Sequence, residues 1–398
     1  MDTQSAKTPI AITKGIDTRQ RTLKALNLLG GIDSIVSSGD VVFIKPNIVD
    51  GAPFATGEVV HLDVLEPLIS EAFRVGAADV IIGETPTWRK TTPTVEAYER
   101  FAKSMGARFL DLSQQAFVEI EVKDPVLFRR VRLSKPLLDA DVFINVPTLK
   151  THVQAGVTLS IKNMYGLISG RPGHGDKARY HQLDKIEEAI VDLYHTKPAD
   201  LIVIDGSQST FHIGPRPLED FHETFPLNLT LAGFDPVAID TVGATVLGIN
   251  PALIRYLQWA AGKGLGTNNM EQIEILGIPI ADAYHQDGAS VVDFANARMQ
   301  HIHILNYGAC TGCLKLVCPA YRYDKTGLPS PITLVMGPNA TQSQVACQHS
   351  HGDVVLCGYC AAPTYFNQLA GSYVPGCPPR NEDLVKTLKD LTIHQESI

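Results

Sequence analysis

Cysteine is absent from the first 309 of the 398 residues, and all seven cysteines fall between Cys310 and Cys377. A disulfide framework spread through the chain is thereby excluded. An odd number of thiols confined to one stretch of a large chain points to metal or redox chemistry, not to the staples of a small secreted domain. Positive charge is also scarce, with 34 Lys and Arg against 42 Asp and Glu and a formal net charge of -8. That balance disfavours nucleic acid and anionic membrane surfaces as partners. No apolar run reaches the roughly 18–20 residues that cross a bilayer. The opening MDTQSAKTPIAITKG has no hydrophobic signal core, so a soluble cytoplasmic protein is the expectation. No Gly-x-Gly-x-x-Gly follows a strand pattern, and a flavin or nicotinamide site is not indicated.

What is present is an ordinary globular composition, 44% hydrophobic and 19% charged. Strand-length apolar runs alternate with helical patterns, which predicts an α/β fold with mostly parallel sheets and flanking helices. VVFIKPNI (41–48), DVIIGETP (79–86), DADVFINVPTLKTH (139–152) and LIVIDG (201–206) read as strands or strand ends. HLDVLEPLISEAFRVGA (61–77), LDKIEEAIVDLYHT (183–196) and FDPVAIDTVGATVLG (234–248) read as helices, the last opened by an Asp235 cap and Pro236. From about residue 290 the pattern changes to short strands among Cys, Gly and Pro, then the closing helix NEDLVKTLKDL (381–391). Two units are expected: residues 1–290, holding an anion or substrate, and a smaller Cys-rich unit, residues 291–398.

The thiols follow the pattern Cys310-x-x-Cys313, Cys318-Pro319, Cys347, Cys357-x-x-Cys360 and Gly376-Cys377-Pro378-Pro379. Two cysteines separated by two residues can bend onto one metal, and two such pairs supply the four thiolates of a tetrahedral ion or a cubane. Structural zinc and an iron–sulfur cluster both satisfy that arithmetic. Three thiols beyond four allow a second cluster with an open iron; buried apolar packing is the plainer role for them.

Within this stretch, CTGC (310–313), Gly358-Tyr359-Cys360 and YVPGCPPRNEDLVKTL (373–388) resemble the cluster-bearing flavodoxin-like domain of nickel-iron hydrogenase small subunits. The related terminal-cluster subunit of respiratory complex I carries the same pattern. The resemblance implies one [4Fe-4S] cluster held by Cys310, Cys313, Cys360 and Cys377. This chain departs from the pattern in the short gap after Cys360 and in the additional thiols Cys318, Cys347 and Cys357, so Cys357 and Cys347 compete with Cys360 for third ligand.

In the first unit, Lys45-Pro46-Asn47, Lys150-Thr151-His152 and Lys162-Asn163 sit at or beyond strand ends. Ligands of open α/β sheets bind outside the carboxyl ends of strands, so these side chains are candidates to share one crevice. Three ammonium groups without carboxylate neighbours would call for a small anionic substrate, bound by Lys45, Asn47, Lys150, Lys162 and Asn163. Each lysine could instead simply end its strand in solvent. Lys150, His152 and Lys162 are the candidate catalytic groups, with His152 or Lys150 as acid or base. Glu84 and Asp205 also fall at strand ends and could serve as base, ligand or lysine partner. The polar stretch 169–182, with Arg171, His174 and Arg179, reads as a lid or as a solvated loop.

KPN, INVPTLKTH, SIKNMYG, IDG and GFDPVAIDTVGATVLG, taken in order over about residues 38–250, resemble the family named domain of unknown function 362. That resemblance implies an association with iron–sulfur proteins and no particular reaction. The leading expectation is an iron–sulfur oxidoreductase acting on a small anionic substrate, with an electron-transfer protein as a further partner. Alternatives are an iron–sulfur lyase or isomerase with an open iron, an electron-transfer or cluster-carrying module without a substrate, and a zinc-stabilised anion-binding protein. A homodimer suits an enzyme of this size.

Overall fold

The computed structural model describes residues 7–49, 51–85, 92–168, 185–212, 222–285, 290–348, 352–361 and 372–396. Eight strands form the larger sheet: β1 (Thr8–Lys14), β2 (Val41–Pro46), β3 (Asp79–Glu84), β4 (Arg108–Asp111), β5 (Val142–Val146), β6 (Leu201–Gly206), β7 (Leu229–Gly233) and β8 (Ile273–Gly277). Their spatial order is β8-β1-β7-β6-β5-β2-β3-β4. β7 runs antiparallel to both β1 and β6, and every other neighbouring pair is parallel. The expected α/β fold with a mostly parallel sheet is therefore what the chain adopts.

Apolar runs make buried central strands here because both faces of the sheet are covered. In β2, Val42 and Ile44 enter one hydrophobic core while Phe43 enters the other, as the two-residue strand period requires. β3 and β5 repeat this, with Ile81 and Phe143 on the Phe43 side and Val80, Ile82, Val142 and Ile144 opposite. The Leu62–Val75 helix covers the second face and stops at Gly76, whose φ of 103° suits glycine. The Pro236–Val246 helix starts as read from sequence: Asp235 Oδ1 accepts the N–H groups of Val237 and Ala238 at 2.9 and 2.8 Å.

A second sheet holds β9 (Ile302–Asn306), β10 (Ile332–Met336), β11 (Asp353–Cys357) and β12 (Ser372–Val374), in that order and all parallel. The Asn381–Glu396 helix closes this sheet, with Leu384 and Leu388 fully buried in its core. Among the described residues, no helix is long and apolar enough to cross a membrane. The stretch 169–182 read as a lid lies outside the described residues.

Candidate functional site

The lysines at the strand ends are deeply buried, and their partners are internal. Lys45 is 0% exposed and its Nζ donates to Glu84 Oε2 at 2.6 Å, Asn163 Oδ1 at 3.2 Å and the Pro46 carbonyl at 3.1 Å. The expected convergence of ammonium groups without a carboxylate neighbour does not hold at Lys45, because Glu84, at the end of the adjacent strand, neutralises it. Gly166 makes the approach feasible: a Cβ there would lie 2.5 Å from Glu84 Oε1 and 2.6 Å from Lys45 Nζ. Asn163 also donates to Asn145 Oδ1 at 2.7 Å, and Asn145 donates to the Ser160 carbonyl at 2.8 Å. Asp240 completes the network by accepting the N–H groups of Ser160 and Ile161 and the Tyr256 hydroxyl. Its carboxyl is pushed up to about 7, burial outweighing those donors.

Lys150 forms a second network. Its Nζ donates to Asn47 Oδ1 at 2.7 Å and to the Glu58 carbonyl at 2.5 Å, and Thr148 Oγ1 donates to the same Asn47 oxygen at 3.1 Å. Burial pushes the Lys150 ammonium down to about 7, with the Glu58 carboxylate opposing. Two acceptors match the two N–H groups of a neutral amine, so the neutral form is fully satisfied in place. Lys162 is 8% exposed and stands over the Tyr165 ring at 5.0 Å from its centroid. His152, also buried, accepts the N–H groups of Gln154 and Ala155 on Nδ1 at 3.1 and 3.2 Å, which locks a turn and fixes its tautomer. Asp205 binds the His61 N–H at 2.7 Å and the Ser207 N–H at 2.8 Å. The structure therefore joins Lys45 to Asn163 and Lys150 to Asn47, with the three lysines, His152 and Asn163 buried and Asn47 half-buried.

The depressed Lys150 gives a pH dependence with a defined sign. Its folded value lies below the roughly 10.4 of an unfolded lysine, so its contribution to stability is complete above that value and is lost as pH falls toward 7. The stability difference between wild type and Lys150→Met is expected to grow from pH 7 to pH 10, by at most about 1.4 kcal/mol per pH unit. Thermal melts of both proteins across that range check this, and a difference independent of pH would contradict it.

The cysteines collect elsewhere, at the carboxyl ends of the second sheet. Cys310 and Cys313 follow β9, Cys360 follows β11 and Cys377 follows β12. The Cys310 carbonyl accepts the N–H of Cys313 at 3.0 Å and of Leu314 at 3.1 Å, the turn that sets both sulfurs on one side. Gly358 N–H donates to the Val374 carbonyl at 2.8 Å and Tyr359 N–H to the Gly376 carbonyl at 3.0 Å, zipping the Cys360 loop to the Cys377 loop. Gly358, with φ at 83°, leaves space beside the thiols: a Cβ there would come within 3.0 Å of Cys313 Sγ. The Cys313 thiol is pushed up to about 12, by burial first and then by Cys310, Cys360 and Cys377. Cys313 is buried, Cys310 half-buried, and Cys360 and Cys377 are exposed.

The other thiols separate from this set. Cys357 is the last residue of β11, fully buried, with its Sγ 3.8 Å from the Val355 carbonyl. Cys318 is half-buried on the Val317–Asp324 helix, and the Cys347 side chain lies outside the described residues. Among the described residues, no three His, Cys, Asp or Glu side chains stand close enough together to hold a single metal ion.

Sequence reasoning missed how the thiol loop is anchored. Thr311, between Cys310 and Cys313, donates through Oγ1 to Glu187 Oε1 at 2.7 Å and accepts the Arg255 N–H at 3.3 Å. Arg255 Nη1 lies 3.4 Å from Glu187 Oε2 and its guanidinium stacks on Trp259 at 4.6 Å. Glu187 is pushed up to about 7 by burial, against the pull of Arg255 and Thr311. The signal was present in the run IEEAIVDLY, where two adjacent glutamates open a helix that is mostly apolar and buried. The same helix that packs the first sheet thus holds the loop bearing the first two cysteines.

Comparison with known proteins gives a relative and a structural neighbour. The thylakoid-associated protein sll1697 of Synechocystis sp. (strain ATCC 27184 / PCC 6803 / Kazusa) is 27% identical over 255 residues, 62% of this chain and 74% of that protein. Among solved structures, the lactate racemase apoprotein from Thermoanaerobacterium thermosaccharolyticum aligns over 98% of this chain and 91% of its own at 10% identity. Its TM-score of 0.36 is too low to carry an argument. Residues 42–245, just over half of the chain, match a described family. That span contains the two buried lysine networks and the Glu187 anchor, and it identifies the chain as a member of the family described as domain of unknown function (DUF362).

Proposed function

We propose that this chain is an iron–sulfur oxidoreductase acting on a small anionic organic molecule, with one [4Fe-4S] cluster held by Cys310, Cys313, Cys360 and Cys377. What supports the reading is the placement of these four thiols on three separate loops that all follow strands at the carboxyl ends of one parallel sheet, beside a glycine whose missing side chain leaves room next to Cys313. Such a cluster supplies single-electron transfer when bound. The protein's own part is to hold the four sulfurs apart at fixed positions: the Gly358 and Tyr359 hydrogen bonds fix two loops, and Glu187, Arg255 and Thr311 fix the third. A single tetrahedral zinc would draw four thiolates within about 4 Å of each other. Thiolates of a cubane each bind a different iron and stand farther apart.

A second reading is favoured by the exposure of Cys360, Cys377 and Tyr359: a cluster at the surface that trades electrons with a partner protein and has no substrate of its own. The expected spectrum of anaerobically purified protein is a broad visible absorption that bleaches with dithionite and returns on reoxidation. An absorption indifferent to dithionite would remove the redox role, and colourless protein would remove the cluster.

A further inference from the structure

We propose that the cleft between the Val317–Asp324 and Asn381–Glu396 helices binds the carboxylate or phosphate of a small organic anion. It encloses about 710 Å³, inside the roughly 300–1,000 Å³ of ordinary small-molecule sites. Its cations come from three places in the fold: Lys315 in the turn after Cys313, Arg322 on the first helix, and Lys386 and Lys389 on the second. Positions 382, 385, 386 and 389 follow the spacing that places side chains on one helix face, and all four line the cleft.

Charge in the cleft is unbalanced. Among the described residues, Glu382 is its one carboxylate, and that group pairs with Arg380 at 3.1 Å. Arg322, Lys386 and Lys389 around a shared space repel one another, and a bound anion turns that repulsion into charge-assisted hydrogen bonds. Lys45 and Lys150 offer no such opening, being 0% exposed with their donors used internally. The cleft reaches toward the proposed thiol site through Lys315, two residues after Cys313, and Cys318, Val153 and Gln154, the last two beside His152 in the first unit, also line it.

The assignment rests on the reading of the substrate as a small anion and is independent of the cluster. Calorimetric titration of the full chain at low salt, with inorganic phosphate and separately with succinate, tests it. At least one anion is expected to bind, and Lys386→Ala with Lys389→Ala is expected to weaken it about tenfold or more. Both lysines are exposed, so folding is preserved, and Arg322→Gln provides a second variant on the other helix. Lys24→Ala, exposed on the Thr18–Leu28 helix, is the control expected to change nothing. Saturating anion should also slow alkylation of Cys318, followed by peptide mass. Preference for phosphate or succinate tells a phosphorylated ligand from a carboxylic acid. Failure of both to bind, binding indifferent to the cleft variants, or an unchanged rate at Cys318 overturns the proposal. Iron measured on the same samples separates the two readings, because anion binding by an iron-free chain would uphold the cleft and remove the cluster.

Discussion

Alanine at Cys360 or Cys377 is expected to lower bound iron from about four per chain to below one, while alanine at Cys318 or Cys357 leaves it unchanged. Under the proposed assignment each of these exposed cysteines would be a ligand whose removal opens the cluster to solvent, and neither contributes to the core, so the variants are expected to keep their fold. Cys357 is the informative control. It lies in the same loop region as Cys360, but as the last residue of a strand it faces the hydrophobic core with a raised thiol, and a methyl group can replace it without touching a metal. Iron analysis of anaerobically purified variants reads the result. Loss of iron in Cys357→Ala with retention in Cys360→Ala would exchange the two assignments.

The second large effect is at Lys45 and Glu84. Glu84→Ala leaves a fully buried ammonium without its counter-charge, an uncompensated charge expected to cost about 3–5 kcal/mol. Lys45→Met in the wild-type background strands the carboxylate in the same way. The double change Lys45→Met with Glu84→Leu removes both charges and is expected to recover most of that loss, since a buried pair contributes little against well-packed apolar groups. Denaturant melts of the four proteins read the result. Equal stability of wild type and Glu84→Ala would show that Lys45 does not depend on this partner.

These lysines also show where the residue pattern was ambiguous. Apolar runs marked β2, β5 and β6 plainly, which puts Lys45 and Asn47 at the carboxyl end of β2 and Lys150 just past β5, whereas Asn163 ends the Ser160–Asn163 helix. Position alone does not say whether a strand end opens to solvent. Here the motifs interlock: Lys45 meets Asn163, Asn163 meets Asn145, and Asp240 holds the turn at Ser160, so residues spread over two hundred positions close one buried network. A lone lysine after an apolar run looks the same whether its partner is a ligand or a carboxylate 39 residues away.

Other elements were harder to read for simpler reasons. β1, β7 and β8 are seven residues or fewer and carry Thr, Pro or Glu among their apolar positions, so no strong alternation marks them, yet they build one side of the large sheet. Cysteine spacing grouped the thiols correctly as a local feature but left Cys357 and Cys360 as rivals. The end of β11 separates them, since side chains inside a strand alternate between faces while those in the following loop turn outward. The basic cleft escaped notice because Lys315, Arg322 and Lys389 belong to no motif, Lys386 was read only as part of the stretch around Cys377, and the four line one cleft only when two helices pack.

The central claim is that the thiols hold a [4Fe-4S] cluster, and iron, acid-labile sulfide and zinc per chain in anaerobically purified protein test it most directly. The account predicts about four irons and four sulfides with no stoichiometric zinc. One zinc per chain without sulfide, or no metal at all, would contradict it.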